Sequence, residues 1–292
     1  MTLQRVAGVF APVTSPFAPS GEIDTAALKK NIARGLADGW AGALIAGSTG
    51  EAPLLERDEQ RRLTAAAREV IPGDRFLLVG TGAESTRAAI ALCRDAAAER
   101  ADAVLVRPPG YYSPMLDGLA VRDHFRAVAD ASPVPVLLYN IPKYAPVPIT
   151  LEILGAMHGH RNVIGIKDSS GDPANLAEYR KAVPEWSVLV GSASHLKRAL
   201  ELKCEGGILG VACFWTAACV ALKSAVERGD VAEAERLQIR IATVDREIVG
   251  KLGPAGIKAA MDCVGLIGGA PRGPLRPLGA AERDRVAALV GA

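Results

Sequence analysis

A lysine closes the most apolar short run of the chain. The segment Asn162-Val-Ile-Gly-Ile-Lys-Asp-Ser-Ser-Gly171 is β-branched and uncharged until it reaches Lys167. Such a run reads as a buried strand. A lysine at its tip must reach water along its aliphatic stem, pair its charge or lose it. In the neutral state its amine carries the lone pair that a Schiff-base nucleophile needs. Three further segments could work with that amine. Gly47-Ser-Thr-Gly-Glu51 sets two hydroxyls among glycines in a turn, a donor array suited to the carboxylate of a small keto acid. Val136-Leu-Leu-Tyr-Asn-Ile-Pro142 brings Tyr139 to a strand end, where a phenol can relay a proton. Pro108-Pro-Gly-Tyr-Tyr-Ser-Pro114 holds Tyr111 and Tyr112 in a proline-stiffened loop. Singly, each pattern has an ordinary alternative: a lysine snorkelling to water, a glycine-rich turn, a core tyrosine, an interface aromatic pair.

The elements that must position these residues decide between the two readings. Strand-like runs fall at residues 6–13, 42–46, 76–79, 103–106, 134–139, 163–166, 187–190 and 207–209. Ala-rich amphipathic stretches lie between and after them, at 25–37, 57–70, 85–100, 119–131, 151–157, 173–183, 193–202 and 215–228. Asp24, and Asp172 followed by Pro173, supply helix-start chemistry. Eight β-then-α units predict an α/β fold, a (β/α)8 TIM barrel over residues 1–228. A doubly wound sheet would need a glycine-rich phosphate turn after the first strand, and Ala11-Pro-Val-Thr-Ser-Pro16 is not one. The alternation stops at Gly229, so residues 229–292 are expected to form a C-terminal helical domain. It comprises a helix over 231–249, a break at Gly253-Pro254, a second helix over 255–264, a stiff connector over 268–277 and a last helix over 280–290. In a barrel of this kind catalytic groups stand at the C-terminal strand ends. Ser48, Thr49, Tyr112, Tyr139 and Lys167 all fall there, and Gly191-Ser192 follows the seventh strand.

Composition narrows the function classes. The chain has 292 residues, 49% hydrophobic and 23% charged, with a net charge of +2 and no long basic run. Nucleic acid and anionic membranes are therefore not expected partners. No apolar stretch reaches transmembrane length, and Met1-Thr-Leu-Gln-Arg-Val lacks the apolar core of a signal peptide. The five cysteines are odd in number and scattered, as expected of free thiols in a cytoplasmic protein. His158 and His160, in Met157-His-Gly-His160, match no zinc spacing and have no carboxylate beside them in the sequence. No metal and no cofactor are expected.

In combination, Gly47 to Glu51, the Tyr111-Tyr112 loop, Tyr139-Asn-Ile-Pro142 and Gly165-Ile-Lys-Asp168 resemble the dihydrodipicolinate synthase/N-acetylneuraminate lyase family of class I pyruvate-type aldolases. The resemblance spans essentially the whole chain. It implies a barrel with a C-terminal helical domain, no metal, and a homotetramer built from tight dimers. It implies Lys167 as the Schiff-base lysine, Tyr139 as the proton-shuttling phenol, and Ser48 and Thr49, with Gly50, as the binders of the keto-acid carboxylate. Tyr112 would complete a hydroxyl relay with Ser48 and Tyr139 and reach the neighbouring subunit's site.

Departures from the family's better-known members shape the expected substrate. Synthases of the family carry an arginine two residues after the proline of the Tyr-Asn-x-Pro segment. Here Lys143 and Tyr144 follow Pro142, and a lysine offers a point charge rather than a bidentate fork. The lyases of sialic acid carry an acidic stretch after strand seven, where this chain has the nearly neutral Gly191-Ser-Ala-Ser-His195. Gly82-Ala-Glu-Ser-Thr-Arg87 and Lys167-Asp-Ser-Ser-Gly171 resemble the 4-hydroxy-2-oxoglutarate aldolase branch. The expected activity is reversible cleavage of a short 4-hydroxy-2-oxo acid to pyruvate and an aldehyde. Condensation of pyruvate with aspartate semialdehyde, as in 4-hydroxy-tetrahydrodipicolinate synthase, is the alternative. A 2-keto-3-deoxy-sugar-acid aldolase or dehydratase comes after it. A non-catalytic keto-acid sensor would need to have lost the lysine or the tyrosine. Lys143, Gly191, Ser192, Ser169 and Ser170 are the candidate binders of the distal part of the substrate.

Overall fold

The computed structural model describes residues 5–291. Eight parallel strands close on themselves in sequence order, β8 pairing with β1. They are β1 (Gly8–Pro12), β2 (Gly42–Ile45), β3 (Phe76–Gly80), β4 (Ala103–Val106), β5 (Val136–Asn140), β6 (Val163–Asp168), β7 (Ser187–Val190) and β8 (Gly206–Ile208). One main helix follows each: α1 (Thr25–Ala37), α2 (Arg57–Val70), α3 (Thr86–Ala98), α4 (Gly118–Ala131), α5 (Leu151–Met157), α6 (Pro173–Ala182), α7 (Leu196–Glu201) and α8 (Thr216–Glu227). The expected TIM barrel is therefore present. Five of these helices start on side-chain caps, those of Asp24, Ser85, Asp117, Thr150 and Asp172.

The strands carry two apolar faces, as a barrel wrapped in helices requires. Phe10, Leu44, Leu78, Leu105, Leu137, Leu189 and Ile208 fill the interior, while Val9, Ala43, Leu77, Val104, Leu138, Ile166 and Val188 pack under the helices. On β6 this alternation slips once. Val136 pairs with Val163 but Leu137 pairs with Gly165, so β6 holds one extra residue, Ile164. Ile164 faces the interior and Ile166 faces the helices. The bulge is what turns Lys167 inward; unbroken alternation from Ile164 would have aimed it into the helix layer. Gly165 permits it, because a Cβ there would collide with the Ser187 carbonyl oxygen.

Beyond α8 the chain is helical: α9 (Val231–Val244), a π-helical turn (Asp245–Gly250), α10 (Lys251–Cys263) and α11 (Ala280–Val290). The helix expected to run to residue 249 loses its α geometry at Asp245. The predicted break is real, with Gly253 at φ 58° and ψ −143° ahead of Pro254. This part of the chain lies against the C-terminal rim of the barrel, where Asp245, Val249, Gly250, Pro254 and Ile257 wall the cavity described below. Among the described residues no helix is long and apolar enough to cross a membrane.

Candidate active site

Lys167 and Tyr139 are register partners on β6 and β5. Lys167 is 4% exposed and Tyr139 6%. The Lys167 Nζ donates to the Tyr139 hydroxyl at 3.3 Å and stands 4.3 Å from the centre of its ring. Behind them the next register pair, Asn140 and Asp168, clamps the same two strands. Asn140 Nδ2 donates to Asp168 Oδ1 at 2.6 Å, and Ser170 Oγ donates to Oδ2 at 2.7 Å. Burial pushes the Asp168 carboxyl up, with these hydrogen bonds opposing it. Nucleophile and phenol are thus set by sheet register and locked from behind.

The pair opens into a cavity of ≈ 170 Å³, lined also by Ser48, Thr49, Lys143, Ser169, Gly191 and Ser192. Among the described residues no side-chain partner engages the hydroxyls of Ser48, Thr49 or Ser169, which leaves them for a ligand. Gly50 lies beneath, where a Cβ would come within 2.9 Å of the Val13 carbonyl oxygen. A second cavity of ≈ 440 Å³ adjoins the first across Ser48, Tyr139, Tyr144 and Pro254. It is the larger of the two, but Lys167 opens into the smaller one, and chemistry rather than size identifies the site.

Several predicted residues have duties that sequence reasoning missed. Glu51 ends the hydroxyl turn at φ 58° and leaves it. Its buried carboxylate reaches Lys258 of α10, Oε1 lying 2.6 Å from Nζ on an approach off the hydrogen-bond direction, and Oε2 accepts from the Arg272 N–H at 2.8 Å. Burial pushes the Lys258 ammonium down, and Glu51 opposes the shift. Gly191 spends its N–H on the Asp168 carbonyl oxygen at 2.7 Å, and a Cβ on it would collide with Ser169 Oγ. Ser192 and Ser170 both donate to carboxylates, Asp245 and Asp168, so neither offers the hydroxyl proton expected for a substrate carboxylate. Lys143 lines the cavity with its Nζ on the Gly250 carbonyl oxygen at 3.0 Å. Tyr144 borders both cavities, with the Lys143 ammonium 5.3 Å from its ring centre.

Tyr112 is not in the cavity of its own chain. It is 65% exposed and packs edge-on against Tyr111, ring centres 5.0 Å apart. Glu84 fixes the loop by accepting the N–H groups of Gly110 at 2.9 Å and Tyr111 at 2.8 Å while pairing with Arg107. Within one chain Tyr112 therefore forms no relay with Ser48 and Tyr139.

Asp245 was invisible in the sequence. It sits inside a run that reads as continuous amphipathic helix, and only the π turn directs it into the cavity. His158 and His160, which have no acidic neighbour in sequence, each meet a carboxylate in space, Glu185 and Asp130 respectively. They precede β6 and lie at the opposite end of the barrel from Lys167. Among the described residues no three His, Cys, Asp or Glu side chains gather as metal ligands would. All five cysteines are free thiols, and burial pushes those of Cys204 and Cys213 up to about 12.

A barrel with a buried lysine against a phenol at its C-terminal mouth is the architecture of a class I aldolase. Comparison with known proteins gives the family. The sequence profile of the Dihydrodipicolinate synthetase family matches residues 5–292. A probable mitochondrial 4-hydroxy-2-oxoglutarate aldolase of Emericella nidulans is 37% identical over 97% of this chain and 93% of its own. A 4-hydroxy-tetrahydrodipicolinate synthase of Exiguobacterium is 32% identical over 96% and 95%. Among solved structures, a prophage protein of the dihydrodipicolinic acid synthase family from E. coli K12, in complex with pyruvate, superposes with a TM-score of 0.92 at 26% identity, covering 98% of this chain and 97% of its own. The chain belongs to the dihydrodipicolinate synthetase family. It is an enzyme, a lyase of the class I aldolase kind.

Proposed function

We propose that the chain forms a Schiff base between Lys167 and a pyruvate-type 2-oxo acid, and that it reversibly cleaves 4-hydroxy-2-oxoglutarate or a similar short 4-hydroxy-2-oxo acid. The observation that carries this reading is the buried Lys167 amine 3.3 Å from the Tyr139 hydroxyl. The amine attacks the C2 carbonyl and water leaves, giving a protonated imine. The 4-hydroxyl loses its proton, the C3–C4 bond breaks, and its electron pair flows into the imine. Glyoxylate departs, leaving an enamine. Tyr139 serves its reprotonation at C3, and hydrolysis frees pyruvate and Lys167. Ser48, Thr49 and the backbone at Gly50 hold the C1 carboxylate. Lys143 is the candidate for the distal one. The scheme uses no metal and no cofactor, so prolonged chelation leaves activity unchanged. Tyr112 acts across a tight dimer, two of which make a homotetramer, and the protein is cytoplasmic.

Incubation with pyruvate and borohydride tests the reading directly. One reduced pyruvyl group per chain is expected, on Lys167, by intact mass and peptide mapping. No adduct, or an adduct on Lys143, overturns it.

One observation bears on the alternative, a 4-hydroxy-tetrahydrodipicolinate synthase. Tyr144 occupies the position of that activity's arginine. Removing one partner of a buried charge pair costs roughly 3–5 kcal/mol, about 10²–10³-fold or more in specificity constant. Aspartate semialdehyde is therefore expected to be the poorer partner, and Tyr144→Arg to improve it. A wild-type preference for aspartate semialdehyde reverses the assignment.

A further inference from the structure

The π turn brings into the cavity a carboxylate that the barrel does not supply. Asp245, its first residue, is 6% exposed and lines the cavity of Lys167. Its Oδ2 accepts three hydrogen bonds from the turn after β7: Ser192 Oγ at 2.7 Å, Ser194 N at 2.9 Å and Ser194 Oγ at 2.8 Å. These contacts fix the polarity of that wall. A serine hydroxyl has one proton and two lone pairs. Ser192 also lines the cavity, and its proton goes to Asp245, so it presents an acceptor to any ligand. Among the described residues Asp245 Oδ1 has no hydrogen-bond partner, and Asp245 has no ion-pair partner. The Gly191 N–H is already taken by the Asp168 carbonyl oxygen. A wall of this kind welcomes a donor and repels an anion.

We propose that Asp245 and Ser192 form a specificity-determining subsite that accepts a hydrogen bond from a substrate hydroxyl beyond C3 and disfavours a carboxylate there. The inference rests on the Schiff-base reading and deepens it. With C2 on Lys167 and C1 at Ser48 and Thr49, the acceptor wall recognises the hydroxyl that defines a 4-hydroxy-2-oxo acid. Any distal carboxylate is left to Lys143, which is held at Gly250, the last residue of the same turn. A site built to hydrogen-bond a substrate hydroxyl discriminates far better than an apolar pocket of the same shape.

The test is competition against borohydride trapping of labelled pyruvate, which needs no turnover. Two competitors are compared: 4-hydroxy-2-oxoglutarate, and 2-oxoglutarate, which keeps both carboxylates and lacks the hydroxyl. In Asp245→Asn and Ser192→Ala the affinity for the hydroxylated competitor is expected to fall about 10–100-fold, the range for a hydrogen bond to a charged group. The affinity for 2-oxoglutarate is expected to hold, or to rise in Asp245→Asn. Equal losses for both competitors, or no loss for either, overturn the inference, because a merely structural role cannot tell a hydroxyl from its absence. If Asp245→Asn does not fold, Ser192→Ala decides by the same criterion, since it keeps both hydrogen bonds from Ser194. Failure of wild type to trap pyruvate on Lys167 removes the Schiff-base reading itself; normal trapping without discrimination removes only the subsite.

Discussion

The two ends of the cavity are made of different material. The end proposed for bond-making comes from strand tips, with Tyr139 and Lys167 in register and Asn140 and Asp168 clamped behind them. The far end comes from helical sequence after the barrel, where a π turn delivers Asp245 and the Gly250 carbonyl, and Lys258 reaches back to Glu51. Sheet register holds the reacting groups with little freedom, whereas a helix packed across the mouth can change its contribution with one altered turn. Chemistry is placed in the rigid part and substrate choice in the adjustable one, and π turns are frequent at functional sites.

Breaking the strand-borne end gives the largest effect. Tyr139→Phe keeps the ring and removes the proton carrier, so turnover should fall about 10²–10⁴-fold with the melting temperature little changed. Near-wild-type turnover removes Tyr139 from the mechanism. Breaking the junction between the two ends should act on stability instead. The side chains of Lys258 and Glu51 are both fully buried. Lys258→Met strands the Glu51 carboxylate and is expected to cost roughly 3–5 kcal/mol by urea denaturation, much of which Glu51→Leu in the same chain should restore. Additive losses would show that the pair is not coupled.

Legibility in the sequence follows the same division. Strand runs, caps and the Gly253-Pro254 break are local signals, and the barrel and its helical tail follow from them. Lys167 and Tyr139 are legible because barrel geometry sends strand ends to one rim. The bulge at Ile164 is not, although Gly165 inside a β-branched run is its one trace. Glu51 reads as part of an anion nest because its partner lies 207 positions on, at Lys258. Ser192 reads as a donor because nothing local reveals that Asp245 takes its proton. Contacts between the tail and the barrel are tertiary, and local sequence pattern carries no record of them.

A third region separates the stability of the barrel wall from both ends. His124 of α4 is buried, with Nδ1 2.9 Å from Thr86 Oγ1 of α3. Burial first, and Arg107 second, lower its pKa from 6.5 to about 4. The unfolded chain therefore binds this proton more tightly than the folded one. Stability present above pH 6.5 is lost as the pH falls through about 4, a swing on the order of 3 kcal/mol. His124→Asn should flatten that part of the unfolding free energy against pH, whatever it does at neutral pH. An unchanged slope would place the acid sensitivity elsewhere.

The smallest expected effect falls on Lys143, where the two ends meet. Its stem leaves the loop after β5, and its ammonium rests on the Gly250 carbonyl oxygen at 3.0 Å, which leaves two N–H donors for a ligand. It is an exposed side chain, so water and salt screen whatever it grips, and a contact of this kind contributes about 1 kcal/mol or less. Lys143→Met should accordingly raise KM for 4-hydroxy-2-oxoglutarate no more than about fivefold and leave kcat nearly unchanged. The increase should shrink as salt is added, because screening already weakens the wild-type contact. It should be absent for a 4-hydroxy-2-oxo acid that ends in a methyl group, which has no distal carboxylate to lose. A fall in kcat of more than tenfold with KM unchanged would move Lys143 from the distal carboxylate to the reacting centre, and the division between rigid chemistry and adjustable recognition would fail at the residue where it is thinnest.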